Sequence, residues 1–429
     1  DIGLPTRFLY DESMPEIVLD KLIEIFGLQP TDLVMGARYH NFADFIGFPD
    51  PKQSTDLHDR AMPALPHPAF KGADTLMPKI WAKDQVVHFP YQKYDYVPQL
   101  ILEAAQNPEV EAIKITLYRV ANRSAITEAL LEAVQQGKKV VTFIEVKARF
   151  DEASNIYWGK RLKDAGAKVI YSYPAVKVHT KLLYIKLREE SGKPDIAYIG
   201  TGNFNEKTAK LYCDHALLTA HPTLNAEVAQ VFELLEGRIL LPHTNDLLIA
   251  PYNLRQTFSR LIKQEMQLAK KGQPAYMILK LNSLEDPAMI EKLYEAGQAG
   301  VKIQLIIRGI CCLIPGVEGL SENISVISII DRYLEHARIY LFGNGGNPLY
   351  YLSSADWMTR NLDHRVEVAV PVFDPDIQAH LRALLDLQLR DNCKARVIET
   401  SQRNPLKEKA PDDPAIRSQT DFYDFLKAL

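Results

Sequence analysis

Val178-His179-Thr180-Lys181 is the stretch of this chain whose residue types and spacing most suggest chemistry. With Lys177 it reads K-x-H-x-K, and on an extended strand side chains two residues apart share a face. Lys177, His179 and Lys181 are therefore expected as a ridge with a cation on each side of an imidazole. Such a ridge suits a nucleophile that attacks phosphorus while ammonium groups neutralise the phosphoryl oxygens. The blander alternative is a polar strand face with a surface histidine. A turn of small residues, Gly200-Thr201-Gly202-Asn203, follows, and its backbone N–H groups could receive a phosphoryl group. A second histidine stands in Glu335-His336-Ala337-Arg338, 20 residues before Asp356. Two histidines converging on one phosphorus supply a nucleophile and a general acid. His179, flanked by cations, is expected neutral and nucleophilic. His336, beside the carboxylates of Glu335 and Asp356, is expected protonated and acidic.

Arg119, Arg149 and Arg308 each follow an apolar run that reads as a strand: ITLY, VVTFIEV and IQLII. The carboxyl ends of strands are where open α/β sheets bind ligands, and arginine there grips phosphate oxygens with a fork of donors. Asp214-His215 and Asp363-His364 repeat one dipeptide. A carboxylate that accepts from one ring nitrogen fixes which nitrogen of a catalytic histidine can react, so Asp214 and Asp363 are candidates for that role. Helix or turn capping is the alternative. His215 and His364 read as locally satisfied residues.

These residues must be positioned by a β-α alternation that begins near residue 75. The pattern predicts strands at Ala112–Tyr118, Val140–Val146 and Lys168–Tyr173, with helices at Ile126–Gln136 and Asn155–Ala165. The order then recurs. ITEALLEAV with Gly137 and VVTFI is echoed by MIEKLYEAG with Gly300 and IQLII. Tyr198–Phe204 is echoed by Tyr351–Trp357, and His221-Pro222 by Asp374-Pro375. An internal repeat of this kind implies two homologous α/β domains, placed at 66–246 and 247–429. Residues 1–65 differ, with a helical pattern over Met14–Phe26, apolar Phe42, Phe45, Ile46 and Phe48, and a proline-dense stretch over Pro51–Pro68 that reads as a linker.

Bulk properties narrow the classes. The chain of 429 residues is 47% apolar and 24% charged, which excludes disordered and fibrous classes. Its 50 basic and 54 acidic side chains leave a net charge of −4, which speaks against a general nucleic-acid coat. Four cysteines without C-x-x-C spacing fit reduced thiols in a cytoplasmic protein. No GxxxxGK[ST], GxGxxG or HExxH pattern occurs. The start at Asp1 reads as a piece of a longer protein.

Beyond these residue-level readings, GARYHNFADFIGFP (36–49), ITLYRVA (115–121), EVKARFDEASNI (145–156), VKVHTK (176–181), IGTGNFNEKTAKLYCDH (199–215), EHARI (335–339) and SSADWMTRNLDHRVE (353–367) together resemble the large bacterial polyphosphate kinases. That family is a branch of the phospholipase D superfamily. The resemblance implies two phospholipase D-like α/β domains facing each other, preceded by the remnant of a further domain over 1–65. It implies reversible transfer of the terminal phosphate of ATP to inorganic polyphosphate through a phosphohistidine on His179, with His336 as the second essential histidine. It places Arg119 and Arg149 at a Mg²⁺-phosphate site and Tyr212 and Arg308 at nucleotide contacts, and the residue-level reading adds His336, Lys177 and Asn203 as expected ATP or phosphate contacts. Arginine cannot ligate Mg²⁺, so the pair is expected to hold phosphates that carry the metal. ATP/ADP and polyphosphate are the expected partners, without nucleic acid. A homo-oligomer of the full-length protein and peripheral membrane association are further expectations from the resemblance. The family's N-terminal helical domain, which carries part of the ATP site, precedes residue 1. The second half has Arg338 in place of the superfamily's lysine, which weakens a lipid-phosphodiesterase reading. A phosphodiesterase on lipid or nucleic acid, and a catalytically dead polyanion scaffold, remain the alternatives.

If Arg119 grips phosphate as a fork, Arg119→Ala removes a charge-assisted contact of roughly 1.5–3 kcal/mol, on the order of ten- to a hundredfold in a phosphate-dependent rate. Arg119→Lys should recover only part of it. Parent-level kinetics in Arg119→Lys would reduce the residue to a point charge.

Overall fold

The computed structural model describes all residues except 1–6, 37, 39–44, 46–47, 50–56, 122–123, 146–151, 173–176 and 402. Arg149, Phe42 and Ile46 lie outside the described residues, as do the expected ends of two strands at Val146 and Tyr173. The chain forms two compact units, Asp1–Ala61 and Met62–Leu429.

In the first unit a parallel pair of strands, Phe8–Asp11 and Leu33–Gly36, is connected through the helix Glu16–Phe26. Gly27 ends that helix at φ 62°, a left-handed conformation that costs glycine little. The helix buries none of its residues, and Ile17 is 80% exposed.

The second unit contains the repeat. In its first half Val110–Leu117, Lys139–Ile144 and Lys168–Tyr171 run parallel, joined by the helices Ala125–Gln135 and Glu152–Ala165. On the other side of Val110–Leu117 the sheet continues antiparallel through Lys181–Leu187, Ile196–Gly200 and Tyr212–Thr219. The second half repeats this order. Tyr276–Leu281, Lys302–Ile307 and Ile324–Ile329 are parallel, and Arg338–Phe342, Leu349–Ser353 and Arg365–Pro371 extend the sheet antiparallel. The equivalent helices Ala125–Gln135 and Pro287–Gln298 are capped by Ser124 and Asp286, each accepting from a backbone N–H three residues on. Each is followed by a glycine in left-handed backbone, Gly137 at φ 76° and Gly300 at φ 92°.

Each sheet has its own apolar core, and a further core joins the halves. That shared core takes one face of the helices Pro222–Leu235, Pro375–Arg390 and Ser418–Ala428, with Phe232, Leu381 and Phe422 at most 1% exposed. Full burial of such side chains contributes roughly 1.5–3 kcal/mol each.

The halves also exchange backbone. The two-residue strand Lys177–Val178 of the first half pairs in parallel with Arg365–Pro371 of the second. Leu334–Glu335 of the second half pairs in parallel with Tyr212–Thr219 of the first. The K-x-H-x-K stretch is therefore not a single-strand ridge. Lys177 belongs to a strand on the second sheet and Lys181 opens a strand of the first, because the chain crosses between sheets at His179 and Thr180. The match of Asp363-His364 to Asp214-His215 is also corrected. Asp214 is the third residue of its strand, whereas Asp363 ends the helix Thr359–Asp363 and pairs with Arg255. The residue standing where Asp214 does is Glu367.

Behind the first sheet's last strand lies a group of histidines. His88 and His215 approach through Nδ1 at 2.9 Å, both essentially fully buried. Burial pushes His67 and His215 down to about 4, and His88 well below its usual value. An unfolded histidine binds its proton near pH 6.5. Below that pH the unfolded chain holds protons that the folded chain excludes, so stability should fall as pH drops from about 6.5 towards about 4. The urea midpoint measures this; one that does not move between about pH 7 and about pH 5 would contradict neutral burial.

Candidate active site

Both histidines sit at the ends of the exchanged strands, and the pairing register sets their partners. Val178 stands opposite Val366, so the next residues, His179 and Glu367, face each other. Cys213 stands opposite Glu335, which brings Asp214 to His336. His179 Nδ1 lies 2.9 Å from Glu367 Oε1, and His336 Nδ1 lies 2.8 Å from Asp214 Oδ1. Each imidazole thus takes its carboxylate from the opposite half of the chain. Main-chain bonds fix the approach: His179 N–H donates to Val366 O at 2.9 Å, and Ala337 N–H to Cys213 O at 2.8 Å.

The carboxylates are themselves held. Ser354 and Asn361 donate to Glu367 at 2.5 and 2.6 Å, and Thr201 donates to Asp214 Oδ1 at 2.6 Å. Gly202 is required here, since a Cβ at that position would come within 2.2 Å of Asp214 Oδ2. Burial opposes ionisation of Glu367, and His179, Lys181 and Ser354 outweigh it, leaving the carboxyl below its usual range. Asp214 is lowered likewise, against burial, by His336 and Thr201. Burial pushes His179 down to about 3 although Glu367 opposes the shift, and it lowers His336 against Asp214. Both pairs are therefore neutral imidazole on ionised carboxylate. A carboxylate can only accept, so each Nδ1 carries the proton and each Nε2 keeps its lone pair.

Each ring also has a tyrosine neighbour, both of them from the first half. Tyr118 meets the His179 ring edge-on at 5.1 Å, and Tyr212 lies 5.2 Å from the His336 ring. Tyr118 and Arg119 sit just past the strand Val110–Leu117. There Asn155 donates to Tyr118 O at 2.9 Å, and Trp158 Nε1 to Ala121 O at 3.0 Å. Lys181 and Arg338 are equivalent, each donating back to the carbonyl of the histidine two residues before it. They differ in charge state. Burial brings Lys181 down to about 7, whereas Arg338 stays cationic through its two-point contact with Asp356. Arg338 Nη1 also stands 3.4 Å from His336 Nε2. A guanidinium only donates, which agrees with a lone pair on that nitrogen.

The expectation that Glu335 makes His336 acidic is corrected: the Glu335 carboxylate bonds to Lys280 instead, 3.0 Å away. His179, His336, Lys181, Asp214, Tyr212 and Arg308 come together through direct contacts or shared partners. Arg308 Nε lies 2.6 Å from Asn282 Oδ1 and donates to Glu335 O, and Asn282 in turn donates to His336 O at 3.0 Å. Asn203 follows Thr201 in the same turn, and Lys177 stands beside Arg365 across the exchanged pair. Asp363 does not join the site. Sequence reasoning missed Glu367, Tyr118 and Asn282. For Glu367 the signal was present: Tyr198 precedes Asp214 by 16 residues, as Tyr351 precedes Glu367. Among the described residues no group of three His, Cys, Asp or Glu side chains could hold a metal.

Two family models match the chain, polyphosphate kinase C-terminal domain 1 over residues 75–241 and C-terminal domain 2 over 247–419. The polyphosphate kinase of Vibrio parahaemolyticus is 43% identical over 428 residues, covering 100% of this chain and 61% of that protein. The crystal structure of polyphosphate kinase from Porphyromonas gingivalis superposes with a TM-score of 0.89 at 40% identity, covering 100% of this chain and 65% of that one. The chain therefore spans less than two thirds of the length of these relatives. A phosphatidylserine synthase of Haemophilus influenzae shares the fold at a TM-score of 0.51 and 11% identity, over 81% of this chain and 93% of its own.

Replacing Glu367 by Gln should release the tautomer, since an amide can donate to Nδ1 and move the ring proton to Nε2. The ¹⁵N shifts of His179 should report that exchange, and a reaction at Nε2 should slow on the order of 10³- to 10⁴-fold, the scale of a misplaced tautomer. An Nε2 shift identical to the parent's would refute the assignment.

Proposed function

The chain belongs to the polyphosphate kinase family, and from that premise we propose that it carries the phosphotransfer centre of a reversible ATP:polyphosphate phosphotransferase. The observation that supports this best is the reciprocal pair of neutral histidines, each with Nδ1 engaged by a buried carboxylate and Nε2 unprotonated. His179 Nε2 attacks the γ-phosphorus of ATP in line. The N–P bond forms as the bond to the β-phosphate oxygen breaks, and ADP leaves with the electron pair. Glu367 offsets the charge that the ring gains. A terminal oxygen of polyphosphate then attacks the same phosphorus, and the N–P electrons return to the ring. Positioning and charge account for most of such a transfer, and Lys181, Arg119 and Arg308 are the cations proposed to meet the phosphates.

His336 is proposed as the proton-transfer partner. With a lone pair on Nε2 it accepts the proton of an incoming terminal phosphate, whose last ionisation lies at about 6, and returns it in the reverse direction. Mg²⁺ has no protein cage among the described residues, and arginines cannot provide one. It is proposed to arrive on the phosphates, and no step is assigned to it. No helix of the described residues is long and apolar enough to cross a membrane.

Incubation with γ-³²P-ATP should label the parent protein with an acid-labile, base-stable phosphate on the His179 peptide, and His179→Ala should abolish it. A label that survives acid, or one that maps to the His336 peptide, would overturn the nucleophile assignment. Release of a lipid or nucleotide product without any phosphoenzyme from ATP would favour the phosphodiesterase alternative.

A further inference from the structure

The two histidines have matched carboxylates and one tyrosine neighbour each, yet what lies behind them is not matched. One residue before His336 stands Glu335, 4% exposed, and its carboxylate is 3.0 Å from the ammonium of Lys280, 2% exposed. Gln388 and Gln419, from two C-terminal helices, donate to the same carboxylate at 2.8 and 2.7 Å. In the first half the residue before His179 is Val178, and the position of Lys280 is taken by Thr116. Lys280 faces Ile339, three residues past His336. Thr116 bonds to the N–H of Leu182, three past His179.

The ion pair belongs to a clamp. Three consecutive carbonyls accept from side chains: Glu335 O from Arg308, His336 O from Asn282 and Arg338, and Ala337 O from Lys280 at 3.4 Å. Among the described residues the holds around His179 are fewer, Lys181 on His179 O and Thr116 on Thr180 O at 2.8 Å. Desolvating two charges commonly costs as much as their attraction returns, and apolar residues of similar volume often replace such a pair without loss of stability. The first half folds around Val178 and Thr116, so the architecture itself does not require the pair.

We propose that Lys280 and Glu335 are positioning residues for His336: their buried ion pair, locked by Gln388 and Gln419, fixes the 335–337 segment so that the second imidazole keeps one place while His179 takes up and gives away the phosphoryl group. This assignment rests on the phosphotransfer reading, and it divides labour between two otherwise equivalent histidines.

The test copies the first half into the second, as the double variant Lys280→Thr/Glu335→Val in the full-length protein. Lys280→Thr alone leaves a buried carboxylate without its ammonium, and its melting temperature should fall; the double variant should recover part of that loss, since it removes the unpaired charge but leaves the Gln388 and Gln419 amides without that acceptor. Hydrogen exchange at the amides of 334–338 should quicken in the double variant while that at 177–181 stays at the parent rate, a readout independent of any reaction. In the ATP–polyphosphate assay kcat should fall by about ten- to a hundredfold, the scale of a slightly misplaced reactive group, with KM for ATP near the parent value. Parent exchange at 334–338, or parent kcat in a folded double variant, overturns the proposal. So does a double variant no more stable than Lys280→Thr, which would make the pair a requirement of folding. If the parent shows no phosphotransfer, the phosphotransfer reading fails by itself, and unchanged exchange still decides against the clamp.

Discussion

Everything at the centre of this molecule depends on a parallel pairing two residues long, made twice. A strand pair that short contributes little by itself, but it fixes register, and in a β-ladder register decides which side chains meet. One step beyond Val178–Val366 lie His179 and Glu367, and one step beyond Cys213–Glu335 lie His336 and Asp214. The pairing that joins the two sheets is thus the same pairing that assembles both histidine–carboxylate couples.

Burial does the rest. Two carboxylates, two imidazoles, a lysine and an arginine lie within a region that excludes most solvent. At such a place protonation follows from desolvation and specific partners rather than from solution values. The carboxylates stay charged because their imidazole partners, hydroxyls and cations outweigh burial, and the imidazoles stay neutral because burial outweighs the pull of the carboxylates. Lys181 and Arg338 occupy equivalent positions but respond differently. A lysine can lose its proton when desolvated, whereas a guanidinium keeps its charge and needs Asp356 beside it.

Much of this could be read from the sequence, and the parts that could not share a cause. The repeat, the two histidines, Asp214 and the strand-end position of Arg308 follow from periodicity and residue type. Glycines 137 and 300 marked the same corner in both halves because that corner takes left-handed backbone in each. The assignment of Asp363 failed because it matched a dipeptide instead of a spacing. Glu367 keeps the interval from Tyr351 that Asp214 keeps from Tyr198, while Asp363 lies a helical turn too early. The K-x-H-x-K ridge failed because period-2 reasoning assumes that one strand continues, and here the chain changes sheets inside the motif. Glu335 was misjudged for a related reason: neighbours along a strand point to opposite faces, so adjacency in sequence is not contact in space. Long-range contacts within the second half, such as Lys280 with Glu335 or Gln419 with Glu335, carry no local signature at all.

A centre whose acids and imidazoles come from opposite halves is what two copies of a single domain would form by association, and such a centre would vanish on dilution. In this chain both halves lie on one polypeptide. Encounter is replaced by an effective concentration set by the connecting segment, and this does not depend on how much protein is present. Covalent linkage also frees the halves from being identical. A symmetric pair must change both copies at once, whereas here Lys181 and Arg338, Val178 and Glu335, or Thr116 and Lys280 can each differ from its counterpart. Fusion of this kind turns a two-fold axis into two distinguishable seats at one centre.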